Sequence, residues 1–296
     1  MKLRTKIHFI INPISGSGRN KLSAQAIAKY FGSDLFDVVV KKSEFSKHAV
    51  TLAKESIAEK ASVIVACGGD GTINEVASCL VNTRVILGII PMGSGNGLAS
   101  HLKIPRNISK SLKIIKNKNA LDIDVGLING EFFFSNAGVG FDAHVILGFE
   151  KDAKRKLWGY VRAVIKSIRT YKHQEFELSY LNQTGEISPF LLFISNSNEM
   201  GYTMSLTPKA SLRDGLLDMV VVPKLSAFKM ACFTVLFLLK KHYWLPEVKI
   251  EKAASFVIKN TKQMPFKSQK DGERFDIFAK TIEIKVVPKS LKIFVP

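Results

Sequence analysis

The 296-residue chain carries 43 Lys and Arg against 25 Asp and Glu, a formal net charge of +18, with 46% hydrophobic and 23% charged residues. That balance fits one large or two modest globular domains and excludes a disordered or repetitive chain, because no Ser, Gly or Pro tract and no fixed period occurs. The positive excess points to an anionic partner, such as a bilayer surface or a phosphorylated substrate, and equally serves solubility alone; with no recognisable nucleic-acid module, nucleic acid is not an expected partner.

The first 120 residues read as strand and helix in alternation. Residues 6–12 form an apolar strand and 20–31 a helix. Leu35–Val40 is a β-branched strand and 46–59 a second helix. Ser62–Cys67 is a strand, Thr72–Leu80 a helix and Val85–Ile90 a fourth strand. Short glycine-rich joints connect them, so the expected arrangement is a parallel sheet with helices on both faces. From Leu121 onward, strands follow one another at 121–127, 131–136, 174–181, 187–195 and 217–222. Four more follow at 253–258, 263–267, 273–278 and 281–287. Only helices near 155–172 and 226–243 interrupt them. Sequential strands predict an antiparallel, sandwich-like second domain. The boundary falls near Asn119, and two domains leave a cleft, a usual place for a ligand.

Cys67, Cys79 and Cys232 lie among apolar residues at irregular spacing and read as buried thiols of a reducing compartment. The run Ile7–Ile11 is too short for a signal peptide, and Ala231–Leu239, at nine residues, is too short to span a bilayer.

The strongest chemical signal is Gly68-Gly69-Asp70-Gly71-Thr72, continued by Ile73-Asn74-Glu75. It ends a strand and opens a helix. Its glycines allow a tight turn and close ligand approach, Thr72 can cap the helix, and the free N–H groups of a helix start attract phosphate. Two more glycine-rich loops, Asn12–Gly18 and Pro91–Gly97, end the first and fourth strands. In an open parallel sheet, ligands bind beyond the carboxyl ends of the strands. Three such loops at one edge point to a nucleotide. They match neither the P-loop nor the dinucleotide fingerprint.

These loops, in this order, resemble the diacylglycerol kinase catalytic family, which includes bacterial lipid kinases, sphingosine kinases and ceramide kinases. Leu121–Gly126, Phe134–Asp142, Asp214–Asp218 and Asp271-Gly272-Glu273 extend the resemblance along nearly the whole chain. It implies an ATP-dependent lipid kinase with an NAD kinase-like or phosphofructokinase-like α/β domain over residues 1–120. Residues 289–296 would return to that domain, and 121–288 would form the lipid-substrate domain. It further implies that Gly68, Gly69, Asp70, Gly71, Thr72, Ile73 and Asn74 wrap the ATP phosphates, helped by Asn12, Ser43 and Ser94. Asp214 would anchor Mg²⁺ with the backbone oxygens of Ser211 and Leu216, and Asp124 would hold the ion's water network. Among the carboxylates, Glu273 is the first choice of base, Asp70 the competitor, and Asp271 lies in the same motif. Read without the resemblance, Asp271-Gly272-Glu273 and Asp214-Gly215 are equally ordinary turns. Phosphoryl transfer nevertheless needs these residue types: a phosphate cradle, charge neutralisation and a carboxylate for the hydroxyl proton.

The third loop departs from the diacylglycerol branch, since Gly97 stands where that branch has an acid. The acceptor therefore stays open between diacylglycerol and a sphingoid base. Phe132, Phe134, Phe190 and Phe193 could line a pocket for its tails or simply pack a sheet. In helix 155–172, Arg155, Arg162, Lys166 and Arg169 lie beside a stripe of Trp158, Val161, Ile165 and Ile168, which suits an anionic membrane surface or packing on the second sheet. Helix 226–243 is apolar nearly all round, so burial is expected. The expected setting is cytoplasmic with peripheral membrane association, and a homodimer is an open assembly. The competing functions are a soluble-nucleotide kinase of the NAD kinase type and a lipid-binding regulator without catalysis.

Overall fold

A computed structural model describes residues 4–16, 22–32, 34–144, 171, 174–200, 204–260, 266–275 and 277–296. The chain divides into two compact units, Met1–Val125 with Pro288–Pro296, and Gly126–Val287.

In the first unit, runs of β-branched residues form parallel strands β1 (Thr5–Ile11), β2 (Phe36–Lys42), β3 (Val63–Gly68) and β4 (Ile86–Pro91). They lie in the order β2-β1-β3-β4. The intervening helices are α1 (Ala24–Phe31), α2 (His48–Ala58) and α3 (Asp70–Leu80). Ile27 and Phe31 of α1 are buried, and Phe31 meets the rings of Phe9 and Phe36 at 5.4 and 5.0 Å. After β4 come the one-turn α4 (Gly97–His101) and α5 (Ile108–Asn117). Asn107 caps α5 by accepting from the Lys110 N–H, and Leu112, Ile114 and Ile115 form its buried stripe. Cys67 is buried in β3; all three cysteines are free thiols.

The second unit is antiparallel. Strand β5 (Ala120–Ile128) enters it and pairs with β6 (Glu131–Phe133) through a turn at Asn129 and Gly130, both at positive φ. One sheet then runs β7 (Asn136–Gly140) beside β10 (Pro189–Ser195), followed by β11 (Leu217–Pro223) and β12 (Lys249–Ala253), with β14 (Ser268–Lys270) and β15 (Glu273–Arg274) on the other side of β7. The other sheet pairs β9 (Gln183–Ile187), β8 (Phe176–Tyr180), β13 (Ser255–Asn260) and the start of β16 (Thr281–Phe294). Alternate residues of both sheets, among them Val139, Leu192, Ile194, Met219, Phe256, Ile258, Ile282 and Ile284, form the sandwich core. Phe190, Leu191, Phe193, Val220 and Val222 form a second core beneath α6 (Ala227–Leu238). Phe134, Phe190 and Phe193 are buried, which is the packing role that the sequence left open for them.

Several expectations change. Residues 131–136 are two strands, not one. The polar edge strand β9 and strand β12 had no apolar alternation to reveal them. Residues 281–294 form one strand through Pro288 instead of two. The Pro288–Lys289 break, with Lys289 at φ 49°, is accommodated because the freed Lys289 N–H donates to Asp124 Oδ1 at 2.8 Å. The segment then ends beside β4, Ile293 pairing in parallel with Leu87. Helix α6 is not buried as expected: among its residues only Phe233 is. Helix 155–172 and most of strand 263–267 lie outside the described residues.

Candidate active site

All four parallel strands of the first unit point their carboxyl ends the same way, so Asn12, Ser43, Gly69 and Met92 each start a loop at one edge. The Ser43 N–H donates to Ile11 O at 2.9 Å and the Asn12 N–H to Cys67 O at 2.9 Å, which continues the ladder into the loops. Gly69 and Gly93 approach so closely that a Cβ on Gly93 would fall 2.6 Å from the Gly69 Cα. A Cβ on Gly68 would lie 2.6 Å from Thr72. Gly93 is therefore required by contact between loops and Gly68 by contact with the Thr72 side chain of α3, not by φ.

Asp70 opens α3, yet its carboxylate turns to the neighbouring loop. Oδ2 accepts from the Asn96 N–H at 2.6 Å and Oδ1 from the Gly97 N–H at 2.8 Å. Asn96, at φ 59°, bonds Gly93 through both side-chain atoms, donating to the Gly93 carbonyl and accepting from its N–H. Arg106 closes the loop from outside, donating from Nη2 to Ser94 O at 2.6 Å and Gly95 O at 3.3 Å. Asp70 is thus a clamp whose charge is met by backbone amides. Each oxygen accepts one such bond, so the carboxylate is held in place by the loop.

Thr72 does not cap α3. Gly69 is the N-cap, no side chain caps the helix, and Thr72 Oγ1 instead accepts from Asn12 Nδ2 at 3.0 Å. The Ile73 N–H makes the first helical bond, to Gly69 O, and its side chain is buried, so Ile73 offers a phosphate neither group. Helix geometry leaves the N–H groups of Asp70, Gly71 and Thr72 without intrahelical acceptors. They sit at the positive end of the helix dipole, with Asp70's charge drawn aside. Asn74 lies one turn further along α3, its carbonyl accepting from Ser78 Oγ. Ser15, whose Oγ accepts from the Gly69 N–H at 3.3 Å, Asn96 and Arg106 were not singled out by the sequence. The first two lay inside noticed loops, and Arg106 carries no motif.

In the second unit, the Asp271 carboxylate accepts from the backbone N–H groups of Phe134, Ser135 and Asn136, at 2.7–3.2 Å. Asp271 takes φ 51° and Gly272 φ 79° at this turn. Burial pushes the Asp271 carboxyl up to about 6, opposed by those three amides. Like Asp70, it holds a loop. Glu273, two residues on, is exposed on β15, and among the described residues no side chain pairs with it.

Gln269 links the same turn to Asp142: Nε2 donates to Asp142 Oδ2 at 2.6 Å and to Asn136 Oδ1 at 2.9 Å, while Oε1 accepts from the Gly272 N–H. Burial pushes the Asp142 carboxyl from its ordinary value near 3.8 up to about 6, against the Gln269 bond that favours its ionised form. The folded chain therefore holds a proton that the unfolded chain has released. That contribution to stability is full below about pH 4 and is lost as pH rises through about 6. Asp142→Asn should flatten the decline between those values, read as unfolding free energy in urea at several pH values. An unchanged slope would assign it to other groups.

Asp214 does not present an open carboxylate to a cation. Its Oδ2 lies 2.9 Å from Lys252 Nζ, which also approaches Asp218 Oδ2 at 3.3 Å and Lys209 O at 3.5 Å; its Oδ1 accepts from the Leu216 N–H. Ser211 Oγ accepts from the Arg213 N–H. Among the described residues no group of three or more His, Cys, Asp or Glu could hold a metal. Asp214, expected to anchor Mg²⁺ with the backbone oxygens of Ser211 and Leu216, is paired in this structure with an ammonium that supplies a counter-charge. Asp124, expected to serve that ion, holds the Lys289 N–H of the returning segment. Mg²⁺ alone should leave the melting temperature unchanged. Lys252→Met should lower stability by about 1–3 kcal/mol, because it leaves Asp218 buried and unpaired, reduced by the partial exposure of the lysine. Stabilisation of the wild type by Mg²⁺ without nucleotide would contradict this.

A parallel α/β unit with three glycine loops at one edge, joined to an antiparallel sandwich, is the architecture of a nucleotide-using phosphotransferase. The diacylglycerol kinase catalytic domain model matches residues 6–128, and the YegS C-terminal NAD kinase beta sandwich-like domain model matches 135–295. The diacylglycerol kinase of Bacillus subtilis (strain 168) is 31% identical over 226 residues, 74% of each chain. That of Staphylococcus carnosus (strain TM300) is 27% identical over 279 residues, 92% of this chain and 89% of the other. The crystal structure of a diacylglycerol kinase from Bacillus anthracis str. Sterne shares the fold at TM-score 0.72 and 21% identity, covering 99% of this chain and 97% of that one. The chain belongs to the diacylglycerol kinase catalytic family. It is accordingly an ATP-using lipid kinase of the alcohol-acceptor class. Among the described residues no helix is long and apolar enough to cross a membrane.

Proposed function

We propose that this enzyme transfers the γ-phosphoryl group of ATP to a hydroxyl of diacylglycerol, or of a sphingoid-type lipid, at the cytoplasmic face of a membrane. The observation that carries the proposal is the start of α3. Its amides lack intrahelical acceptors and no side chain caps them, while the one acidic side chain there is bonded to the next loop. Gly68 to Thr72, with Asn12, Ser43, Asn74 and Ser94 around them, would hold the phosphates. Glu273 would accept the hydroxyl proton, since it is exposed while the Asp70 and Asp271 carboxylates are each held in place by backbone amides. Mg²⁺ bound with the nucleotide would neutralise charge on the β- and γ-phosphates. The names of the Bacillus and Staphylococcus relatives favour diacylglycerol, whereas Gly97 leaves room for a sphingoid base.

The test is transfer of labelled γ-phosphate to a panel of acceptors: diacylglycerol, sphingosine, ceramide and a monoacylglycerol in mixed micelles, and soluble NAD. Label on diacylglycerol, or on sphingosine or ceramide, supports the proposal, and label on the monoacylglycerol alone would overturn it. Label on NAD, or on nothing, would overturn it.

A further inference from the structure

The outer face of α6 is apolar where a surface helix is ordinarily polar. At about 100° per residue, Phe228, Ala231, Val235, Leu238 and Leu239 share one arc, roughly opposite Phe233. Phe228 is 77% exposed, Val235 57%, Leu238 69% and Leu239 61%. Trp244 at 60% and Tyr243 at 41% follow immediately after the helix. Single exposed apolar residues are ordinary, but a run of large ones along one face needs a partner.

The helix is held firmly while this face stays open. Phe233 enters the second core, the Ser226 side chain caps the first turn, and buried His242 meets Leu206 O at 2.7 Å. The helix's own stretch of chain carries only positive charge, offset in part by Glu199 and Glu247 from outside it. From Met219 to Pro246 the chain contains no Asp or Glu, but it contains Lys224, Lys229, Lys240 and Lys241. Lys229 pairs with Glu247, Lys240 lies 4.0 Å from Glu199, and Lys241 sits 4.4 Å over the Trp244 ring. Lysines thus flank both ends of the apolar arc. A second copy docked by two-fold symmetry would cover the arc with an equally basic face, bringing like charges together.

The geometry points to α6 and the His242–Trp244 turn as a docking element for an anionic bilayer surface. Phe228, Val235, Leu238 and Leu239 enter the acyl boundary. Trp244 and Tyr243 sit at headgroup level, and the flanking lysines meet lipid phosphates. This rests on the reading that the acceptor is a membrane lipid, but its test needs neither ATP nor an acceptor, so the two can fail separately.

The experiment is co-sedimentation of the full chain with phosphatidylcholine vesicles containing about one third phosphatidylglycerol. The wild type should bind and be released by salt. Phe228→Glu with Leu238→Glu should weaken binding by about tenfold or more. Both positions are exposed, so the variant should keep its melting temperature and its turnover on a detergent-dispersed acceptor. In a Trp158→Phe background, Trp244 is the remaining tryptophan, and its emission should shift to the blue and be quenched by brominated lipid. Equal binding by the double variant, equal binding to pure phosphatidylcholine, or unchanged Trp244 emission would overturn the proposal. So would a wild-type dimer that the double variant converts to monomer without loss of vesicle binding.

Discussion

Asp70→Ala is expected to lower kcat/KM for ATP by about a hundredfold or more in a chain that still folds. Two charged hydrogen bonds, to the Asn96 and Gly97 amides, tie the β4 loop to the start of α3. Hydrogen bonds to a charged group contribute about 1.5–3 kcal/mol each, and a hundredfold loss corresponds to about 2.7 kcal/mol, so loss of the pair is sufficient. The damage should be to phosphate binding. Calorimetric titration with a non-hydrolysable ATP analogue should show affinity falling with turnover. Asp70→Asn is the finer probe, since an amide offers one acceptor and sets an N–H₂ against the second donor. It should fall most of the way toward alanine. Wild-type affinity in either folded variant would remove Asp70 from the proposed site.

Glu273→Gln should show the opposite split. Removing a general base typically costs about 10²–10⁴ in rate. Glutamine keeps shape and hydrogen bonding, and Glu273 is exposed on β15, so melting and ATP-analogue affinity should stay at wild-type values. The neighbouring Asp271→Asn should behave differently. Three backbone amides converge on that carboxylate, so its loss should lower the melting temperature before it reveals anything about chemistry. If Glu273→Gln retains full turnover, or loses affinity and turnover in parallel, Glu273 is not the base.

The fold class was readable because strand–helix alternation and glycine joints are local signals. The Gly68–Thr72 turn was readable for the same reason. What each acidic residue does was not, because that depends on which backbone comes near it. Asp70 meets amides 26 and 27 residues away, and Asp271 meets amides 135–137 residues away. No spacing rule encodes those contacts. Thr72 looked like a cap by composition, but Gly69 took the N-cap position and Asn12 the hydroxyl. Lys252 was invisible for a similar reason: only the β11–β12 register sets it opposite Asp218. Helix α5 could have been found from Asn107 and the stripe Leu112, Ile114, Ile115. Strand β9, Gln-Thr-Gly-Glu-Ile, could not, because it is a polar edge strand defined by its pairing with β8. The apolar character of α6 was evident in the sequence, but composition does not say what covers a helix, and among the described residues most of this one is left exposed.

The most direct test of the account is a crystal structure of this chain with a non-hydrolysable ATP analogue and Mg²⁺. The phosphates should lie within hydrogen-bonding distance of the Asp70, Gly71 and Thr72 N–H groups at the start of α3, with Asp70 still bonded to Asn96 and Gly97. Phosphates bound elsewhere, or an Asp70 carboxylate released from that loop to face the nucleotide, would contradict it.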